Sequence, residues 1–269
     1  MIVSIVIYYH CIADIQDTLN SILNTTVIDK VVLVDNGGCD WAGKLENEKI
    51  YYIKSPKNGG YGYGHNLAIR QFAQDSEFFL VCNPDINFDP RELEKFYKIA
   101  SNLSAGLYSP KIIYPDGKDQ FGQRLLPSPL NLFARRFLPV SIADKLDQKY
   151  LLKTYQINQP TPVPNLSGCF MLFRSKCLLE LGGFDERYFM YMEDIDLSRR
   201  CAHKYGALYI PSVSIIHQHE QASYKNMGLL KAHIKSAIQY FNKWGWVIDR
   251  ERKKMNGQTL ALLEKDKLK

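Results

Sequence analysis

The sequence predicts an α/β fold: a mostly parallel central sheet flanked by helices on both faces, with amphipathic helices toward the C-terminus. Three observations predict it. Residues 1–110 alternate β-branched apolar runs with segments whose apolar residues recur at helical spacing, which is the rhythm of βαβ units. Acidic, glycine-bearing and Asn-Pro stretches stand just past several of those runs, where open α/β sheets hold their ligands. A long amphipathic stretch, "LLKAHIKSAIQYFNKWGWVIDRERKK", comes late in the chain.

"IVSIVIYY" reads as a buried strand. It has the length of one strand and no basic stretch before it, so it is not read as a signal peptide. "DIQDTLNSILN" places Ile15, Leu19, Ile22 and Leu23 on one helical face. "KVVLVDN" and "KIYYIKS" read as the second and third strands, "GHNLAIRQFA" as a helix and "FFLVCNPD" as the next strand. "DPRELEKFYKIAS" reads as a helix, with Asp89 as N-cap and Pro90 at its first position.

After "LYSPKIIYPDGK" the pattern loosens. Residues 121–165 carry Pro127, Pro129, Pro139, Pro160, Pro162 and Pro164. This excursion from the sheet is either a surface helix or a cover over a cleft or membrane. Order returns in "SGCFMLFRSKCLLELGGFDERYFMYMEDIDLSRRCAHKYG": strand, helix, Gly-Gly turn, aromatic loop, helix. "ALYIPSVSIIHQHE" is strand-like. The late amphipathic stretch reads as one long helix, followed by a polar tail expected to fray.

Composition narrows the function classes. Hydrophobic residues are 46% and charged residues 23% of the 269, which excludes a largely disordered chain. The net charge of +6 fits an anionic ligand, an anionic membrane surface or nucleic acid. The basic residues are dispersed and match no nucleic-acid motif, so a nucleic-acid partner is not expected. None of the six cysteines forms a C-x-x-C pair or a zinc-finger spacing; they read as reduced, buried thiols of a cytoplasmic protein. No run reaches the roughly 18–20 apolar residues of a membrane span, so membrane contact is expected to be peripheral.

Five stretches carry chemistry. In "VVLVDNGG", Asp35 can accept hydrogen bonds from a nucleobase or ribose, although Asp-Asn-Gly-Gly is also strong turn chemistry. In "NGGYGYGHN", four glycines let backbone N–H groups approach phosphate. The spacing matches neither the Walker nor the dinucleotide fingerprint, and His65 can equally bond its own loop. In "NPD", Asp85 suits a divalent cation bridging two phosphates, while an Asx-Pro turn also explains the tripeptide. In "YFMYMEDIDLSRR", Glu193, Asp194 and Asp196 crowd at a helix start beside Phe184, Tyr188, Phe189, Met190, Tyr191 and Met192. Crowding and apolar surroundings raise a carboxylate's proton affinity, which suits a general base, although acids are also common at any helix start; Arg199 and Arg200 are candidates to reach a phosphate, with at least one of them read as a surface residue on its helix. In "IIHQHE", His217 ends a strand and His219 follows on the same side, so the two can share a metal, although a capped core histidine is the commoner role.

Together, "VDN", "GGYGYGHN", "NPDI", "SGCFMLFR", "GGFDERYFMYMEDIDLSRR" and the "IIH" strand resemble the inverting GT-A glycosyltransferases of family 2, and more closely bacterial O-antigen and capsule rhamnosyltransferases. The order and spacing of these stretches carry the resemblance over about residues 2–220, with a weaker echo in "HIKSAIQYFNKWGW". It implies a GT-A type, Rossmann-like domain over residues 1–220, with a nucleotide-binding half at 1–110 and an acceptor and catalytic half at 111–220. A helical extension follows at 221–269.

The resemblance also implies site residues. Asp194 is the base, paired with Glu193. Asp85 and His217 hold Mg²⁺ or Mn²⁺; Asn83 stands where the family often has the first aspartate of Asp-x-Asp. Tyr8, Asp35, Asn36, Asn83, Pro84 and Asp85 belong to the nucleotide and donor site, with Gly60, Tyr61, Gly62, Gly64, His65 and Asn66 of the glycine loop. Gly168, Cys169 and Met192 shape the sugar and acceptor pocket. The implied donor is dTDP-β-L-rhamnose and the implied acceptor a lipid-linked glycan at the inner face of the cell membrane. "LFARRF" and "YFNKWGWVIDRERKK" suit an anionic headgroup zone, and a homodimer stays open. The alternatives are the same fold with a UDP-sugar (galactose, glucose or N-acetylglucosamine), or a non-catalytic nucleotide-sugar-binding protein; the retained acidic pair argues against the latter.

Overall fold

The computed structural model describes residues 1–132, 140–218 and 227–267. In chain order the elements are β1 (Ile2–Ile7), α1 (Ile12–Leu23), β2 (Lys30–Asp35), β3 (Ile50–Lys54), α2 (Tyr61–Phe72), β4 (Phe78–Cys82), β5 (Ile86–Asn87) and α3 (Pro90–Ser101). Then come β6 (Leu107–Ile113), β7 (Gln123–Arg124), α4 (Val140–Tyr150), β8 (Thr161–Pro162), β9 (Asn165–Leu166) and β10 (Phe170–Arg174). The chain continues through α5 (Ser175–Glu180), α6 (Glu193–Lys204), β11 (Ala207–His217), α7 (Met227–Trp244) and α8 (Arg250–Lys267).

The main sheet runs β3-β2-β1-β4-β10-β6-β11-β5, with β8 beside β11. Its first four strands are parallel, as the βαβ rhythm predicts. β1, β2 and β4 are almost wholly buried because helices cover both faces, which is why they read as unbroken apolar runs. The apolar residues fall into two clusters, one on each face of the sheet, and a third between α6 and the C-terminal helices.

Three strands, β10, β5 and β8, run against the others, and the first two matter to the site. β10 lies antiparallel to β4, with Phe170 opposite Cys82. The start of β10 therefore abuts the end of β4, and Asn83 N–H donates to Cys169 O at 2.9 Å. β11 lies antiparallel to β5, with His217 opposite Ile86. That register sets His217 beside Asp85.

The expectation of one long C-terminal helix is corrected: α7 and α8 are separate. Gly245 breaks the run at φ +105, a conformation that L side chains resist. Asp249 then starts α8 by accepting from Arg252 N–H at 2.8 Å. Instead of fraying, the described tail is helical through Lys267. Leu263 is buried and Thr259 Oγ1 donates to Pro162 O at 3.0 Å. The Pro-rich excursion contains α4 and the short pair β7–β9. Most of "LFARRF" (133–137) and His219 lie outside the described residues.

Candidate active site

The ends of β1 and β2 bring their loops together, with Tyr9 N–H donating to Gly37 O at 2.9 Å. Tyr8 and Tyr9 stand exposed there, their rings edge-to-face at 4.6 Å. Asp35 beneath them is buried and turns back into its loop. Its Oδ1 accepts from Gly37 N–H at 2.7 Å; its Oδ2 accepts from Cys39 N–H at 3.2 Å and from the Tyr52 hydroxyl at 2.9 Å. The turn chemistry of Asp-Asn-Gly-Gly is therefore realised. Asn36 ties this loop to the glycine loop through Nδ2 donating to Gly60 O at 3.0 Å.

The glycine loop enters α2 with Gly60 at φ +94. Its glycines make room for protein. A Cβ on Gly60 would stand 1.8 Å from Phe189 O, one on Gly62 2.8 Å from Phe184 Cβ, and one on Gly64 2.8 Å from Val6 Cγ2. Tyr61 N–H donates to Phe189 O at 3.1 Å. The missing side chains let α2 lie close on β1 and on the aromatic loop. Asn66 is redirected from donor binding. Its Oδ1 accepts from Phe184 N–H, and its Nδ2 donates to Phe184 O and Glu186 Oε1, so its bonding capacity braces the loop before α6. His65 is fully buried, with Nδ1 2.9 Å from Ser4 Oγ. Burial pushes its pKa down to about 3, so it is a neutral core histidine.

At the end of β4, Asp85 Oδ1 stands 3.3 Å from His217 Nε2, and Asn83 Nδ2 stands 3.3 Å from the same nitrogen. On the other side of the ring, His217 Nδ1 lies 2.9 Å from Gln120 Oε1, and Gln120 Nε2 donates to His217 O at 2.6 Å. Gln120 clamps the imidazole from both sides of its own amide and favours the tautomer with the proton on Nδ1. Burial works against the Asp85 carboxylate, but His217 outweighs it and holds Asp85 below the ordinary carboxylate range. The pair fits a divalent cation. Two donors about 2.1 Å from one ion at right angles lie about 3 Å apart, and such ions complete their shell with phosphate and water. Among the described residues no group of three or more His, Cys, Asp or Glu forms a closed metal cage.

The acidic pair opens α6. Tyr191 and Met192 just before it both have φ 67, a left-handed backbone uncommon for non-glycine residues. Asp194 is half-buried. Its Oδ2 accepts from Gly168 N–H at 3.0 Å and its Oδ1 from Ile195 N–H at 2.9 Å. Glu193 is buried, and its Oε2 has no hydrogen-bond partner among the described residues. Burial first, then the neighbouring Asp194, pushes Glu193 up to about 8.

One dipeptide joins the two clusters. Gly168 N–H holds Asp194, while Cys169 O receives Asn83 N–H. The Tyr61 hydroxyl donates to Gly168 O at 2.7 Å from the glycine loop. The Asp85–His217 pair and the Glu193–Asp194 pair therefore converge on the two sides of a single turn.

A family model described as Glycosyl transferase family 2 matches residues 4–182. The chain belongs to that family. It is 30% identical over 223 residues to N-acetylglucosaminyl-diphospho-decaprenol L-rhamnosyltransferase of Mycobacterium tuberculosis, covering 77% of this chain and 72% of that one. It is 27% identical to Rhamnosyltransferase WbbL of Escherichia coli K12, covering 68% and 70%. Low-salt glycan biosynthesis hexosyltransferase Agl10 of Haloferax volcanii is 25% identical, covering 69% and 57%. Among solved structures, GalNAc-T7 with UDP, GalNAc and Mn²⁺ superposes with a TM-score of 0.60 at 14% identity, over 80% of this chain and 42% of that one. The GT-A architecture read from the sequence is thus the fold of this glycosyltransferase.

Two arginines of this glycosyltransferase are corrected. Neither is turned to a phosphate. Arg199 is buried and forms a bidentate pair with Asp249, at 2.7 Å to each oxygen, beneath the Trp244 ring at 4.0 Å. Arg200 bonds Asp196 Oδ2 and the carbonyls of Leu181 and Gly183. Asp196, read as one of the crowded acids, is consumed by Arg200, Lys243 and Trp244 Nε1. The sequence reading missed Gln120 and Tyr52. No motif marks them, because each acquires its role only through a partner distant in the chain.

Proposed function

We propose that this glycosyltransferase transfers L-rhamnose from dTDP-β-L-rhamnose to a lipid-linked glycan during cell-surface polysaccharide synthesis. A divalent cation, Mg²⁺ or Mn²⁺, would be held by Asp85 and His217. The observation that carries the reading is the Gly168–Cys169 turn, which bonds the Asp194 carboxylate on one side and, through Asn83, the strand end that bears Asp85 beside His217 on the other. The rhamnosyl donor is supported by the names of two relatives, and the lipid-linked acceptor by the decaprenol diphosphate in one of them. The cation is supported by the Asp85–His217 spacing and by the Mn²⁺ in the structural neighbour.

In this mechanism Tyr8, Asp35 and Asn36 line the nucleoside end, and Asn83, Pro84 and Asp85 the diphosphate. Asp85 and His217 would hold the cation, which when bound would supply positive charge near the departing diphosphate. Gly168 and Ile195 N–H groups aim the Asp194 carboxylate. Asp194 takes the proton of the acceptor hydroxyl as its oxygen attacks the anomeric carbon. The bond from that carbon to the diphosphate oxygen breaks, dTDP leaves with the electron pair, and the configuration inverts. Burial, then the neighbouring Asp194, holds Glu193 neutral at pH 7, so it does not compete as the base. No described helix is long and apolar enough to cross a membrane. A lipid-linked acceptor then calls for peripheral contact with the inner leaflet.

A panel of dTDP-rhamnose and UDP-sugars, read by nucleotide release and thermal shift, tests the donor. Turnover of dTDP-rhamnose above the others is expected. Preference for a UDP-hexose would overturn the donor and favour the second reading, which the hexosyltransferase relative and the UDP of the structural neighbour support. Asp194→Asn is expected to lose about 10²–10⁴-fold in turnover while keeping donor affinity; near-normal turnover removes the base assignment.

A further inference from the structure

Beyond the catalytic crevice, α4 and α8 face each other across a cavity of about 800 Å³. Its apolar lining includes Leu125, Leu126, Leu146 and Leu260, and its cations include Lys145, Lys149, Arg250 and Lys253. Lys145 and Lys149 lie one turn apart on α4, and Arg250 and Lys253 one turn apart on α8. All four are exposed, and none forms an ion pair among the described residues. The lining carboxylate Asp249 is already committed to Arg199. The rim is therefore positive and uncompensated.

The loop between α7 and α8 adds an apolar tip to that rim. Val247 and Ile248 line the cavity and are 85% and 80% exposed; Trp246 beside them is 40% exposed. The tip is not slack. A Cβ on Gly245 would stand 2.5 Å from Ile248 O, so the turn is tight, and Asp249 anchors its far end to buried Arg199. Gly257, inside α8, also lines the cavity, and a Cβ there would meet nothing within 4 Å. A glycine in a helix interior is unfavourable relative to alanine, and no packing contact requires this one. Its effect is to keep the cavity floor low.

We propose that this face docks the enzyme on an anionic phospholipid bilayer. Headgroup phosphates occupy the cationic rim, and Val247 and Ile248 dip into the interface below them. Charge complementarity selects this occupant: fixed apolar side chains ringed by unpaired Lys and Arg suit an anionic leaflet, where cations gather at the headgroups and apolar residues enter the acyl boundary. Arg199, which anchors the tip, lies on α6, the helix opened by Glu193 and Asp194. Docking thus presents the acidic pair from a fixed height above the leaflet. The benefit to catalysis rests on the lipid-linked acceptor proposed above; the docking does not.

The test is flotation of the full chain with vesicles of phosphatidylglycerol and phosphatidylcholine, against phosphatidylcholine alone, at low and high salt. Binding is expected only to the anionic vesicles and to weaken with salt. The double variant Val247→Glu with Ile248→Glu, and the fourfold variant of Lys145, Lys149, Arg250 and Lys253 to Gln, are each expected to lose about tenfold or more. Melting temperature and turnover of a soluble acceptor should stay unchanged. Absence of vesicle binding by the native chain, equal binding to neutral vesicles, or variants that bind like the native chain would each overturn the proposal. A concentration-dependent dimer that the same variants abolish, without vesicle binding, would reassign the face to a second copy. The donor panel uses no vesicles, so failure of the proposed function reads out separately.

Discussion

An alanine at position 168 probes the turn that holds Asp194. Its Cβ would stand 2.7 Å from Asp194 Cβ and 3.1 Å from Asp194 Oδ2. Carbon atoms in ordinary contact lie about 3.5–4.0 Å apart, so the two side chains must separate by about 1 Å. Gly168 does not have a positive φ, so alanine meets no backbone strain there. The displacement falls on Asp194, which is half-buried and lies outside the apolar clusters. A misplacement of about 1 Å at a reacting group costs about 10²-fold in rate, or about 3 kcal/mol of barrier. The Gly168 N–H survives, so position is lost and hydrogen bonding is not. In a nucleotide-release assay Gly168→Ala should lower kcat by about 10²-fold, with donor affinity by calorimetry and melting temperature little changed. A kcat near the native value, in a protein whose Asp194→Asn variant is inactive, would refute the claim that this turn aims the base.

Glu193 sets a pH dependence. Its folded-state pKa is raised from 4.5 to about 8. Between those values the folded chain keeps a proton that the unfolded chain has released, so the contribution is most favourable below about pH 4.5 and declines as pH rises toward 8, by roughly a kcal/mol per pH unit. Glu193→Gln should flatten that decline in melting temperature over pH 5–8; an unchanged slope would contradict it. Chelation should abolish turnover, with Mn²⁺ or Mg²⁺ restoring it. Gln120→Leu should raise the cation concentration for half-activity by about 10–100-fold while leaving kcat at saturating cation near native; an unshifted cation titration would remove Gln120 from the site. Arg199→Met leaves Asp249 buried without its partner and should cost about 3–5 kcal/mol in denaturant unfolding, most of it recovered by adding Asp249→Leu. A loss that persists in the double variant would place Arg199's role elsewhere.

The sequence by itself determined the parallel half of the sheet, because strands buried on both faces must be continuous apolar runs, and those of β1, β2 and β4 are. It also marked the polar stretches, since Asp, Asn-Pro and Glu-Asp directly after such runs stand at strand ends or helix starts. Composition and local spacing cannot say which partners those side chains meet. The tertiary structure decided that Asn66 braces a loop, that Arg199 and Arg200 turn inward, and that the glycines leave room for Phe184, Phe189 and Val6. It also decided how the Asp85–His217 pair and the Glu193–Asp194 pair flank the Gly168–Cys169 turn. That depends on β10 running against β4 and β11 against β5, pairings between segments far apart in the chain. Such pairings are set by how the whole sheet closes, and no local pattern encodes the direction of a strand.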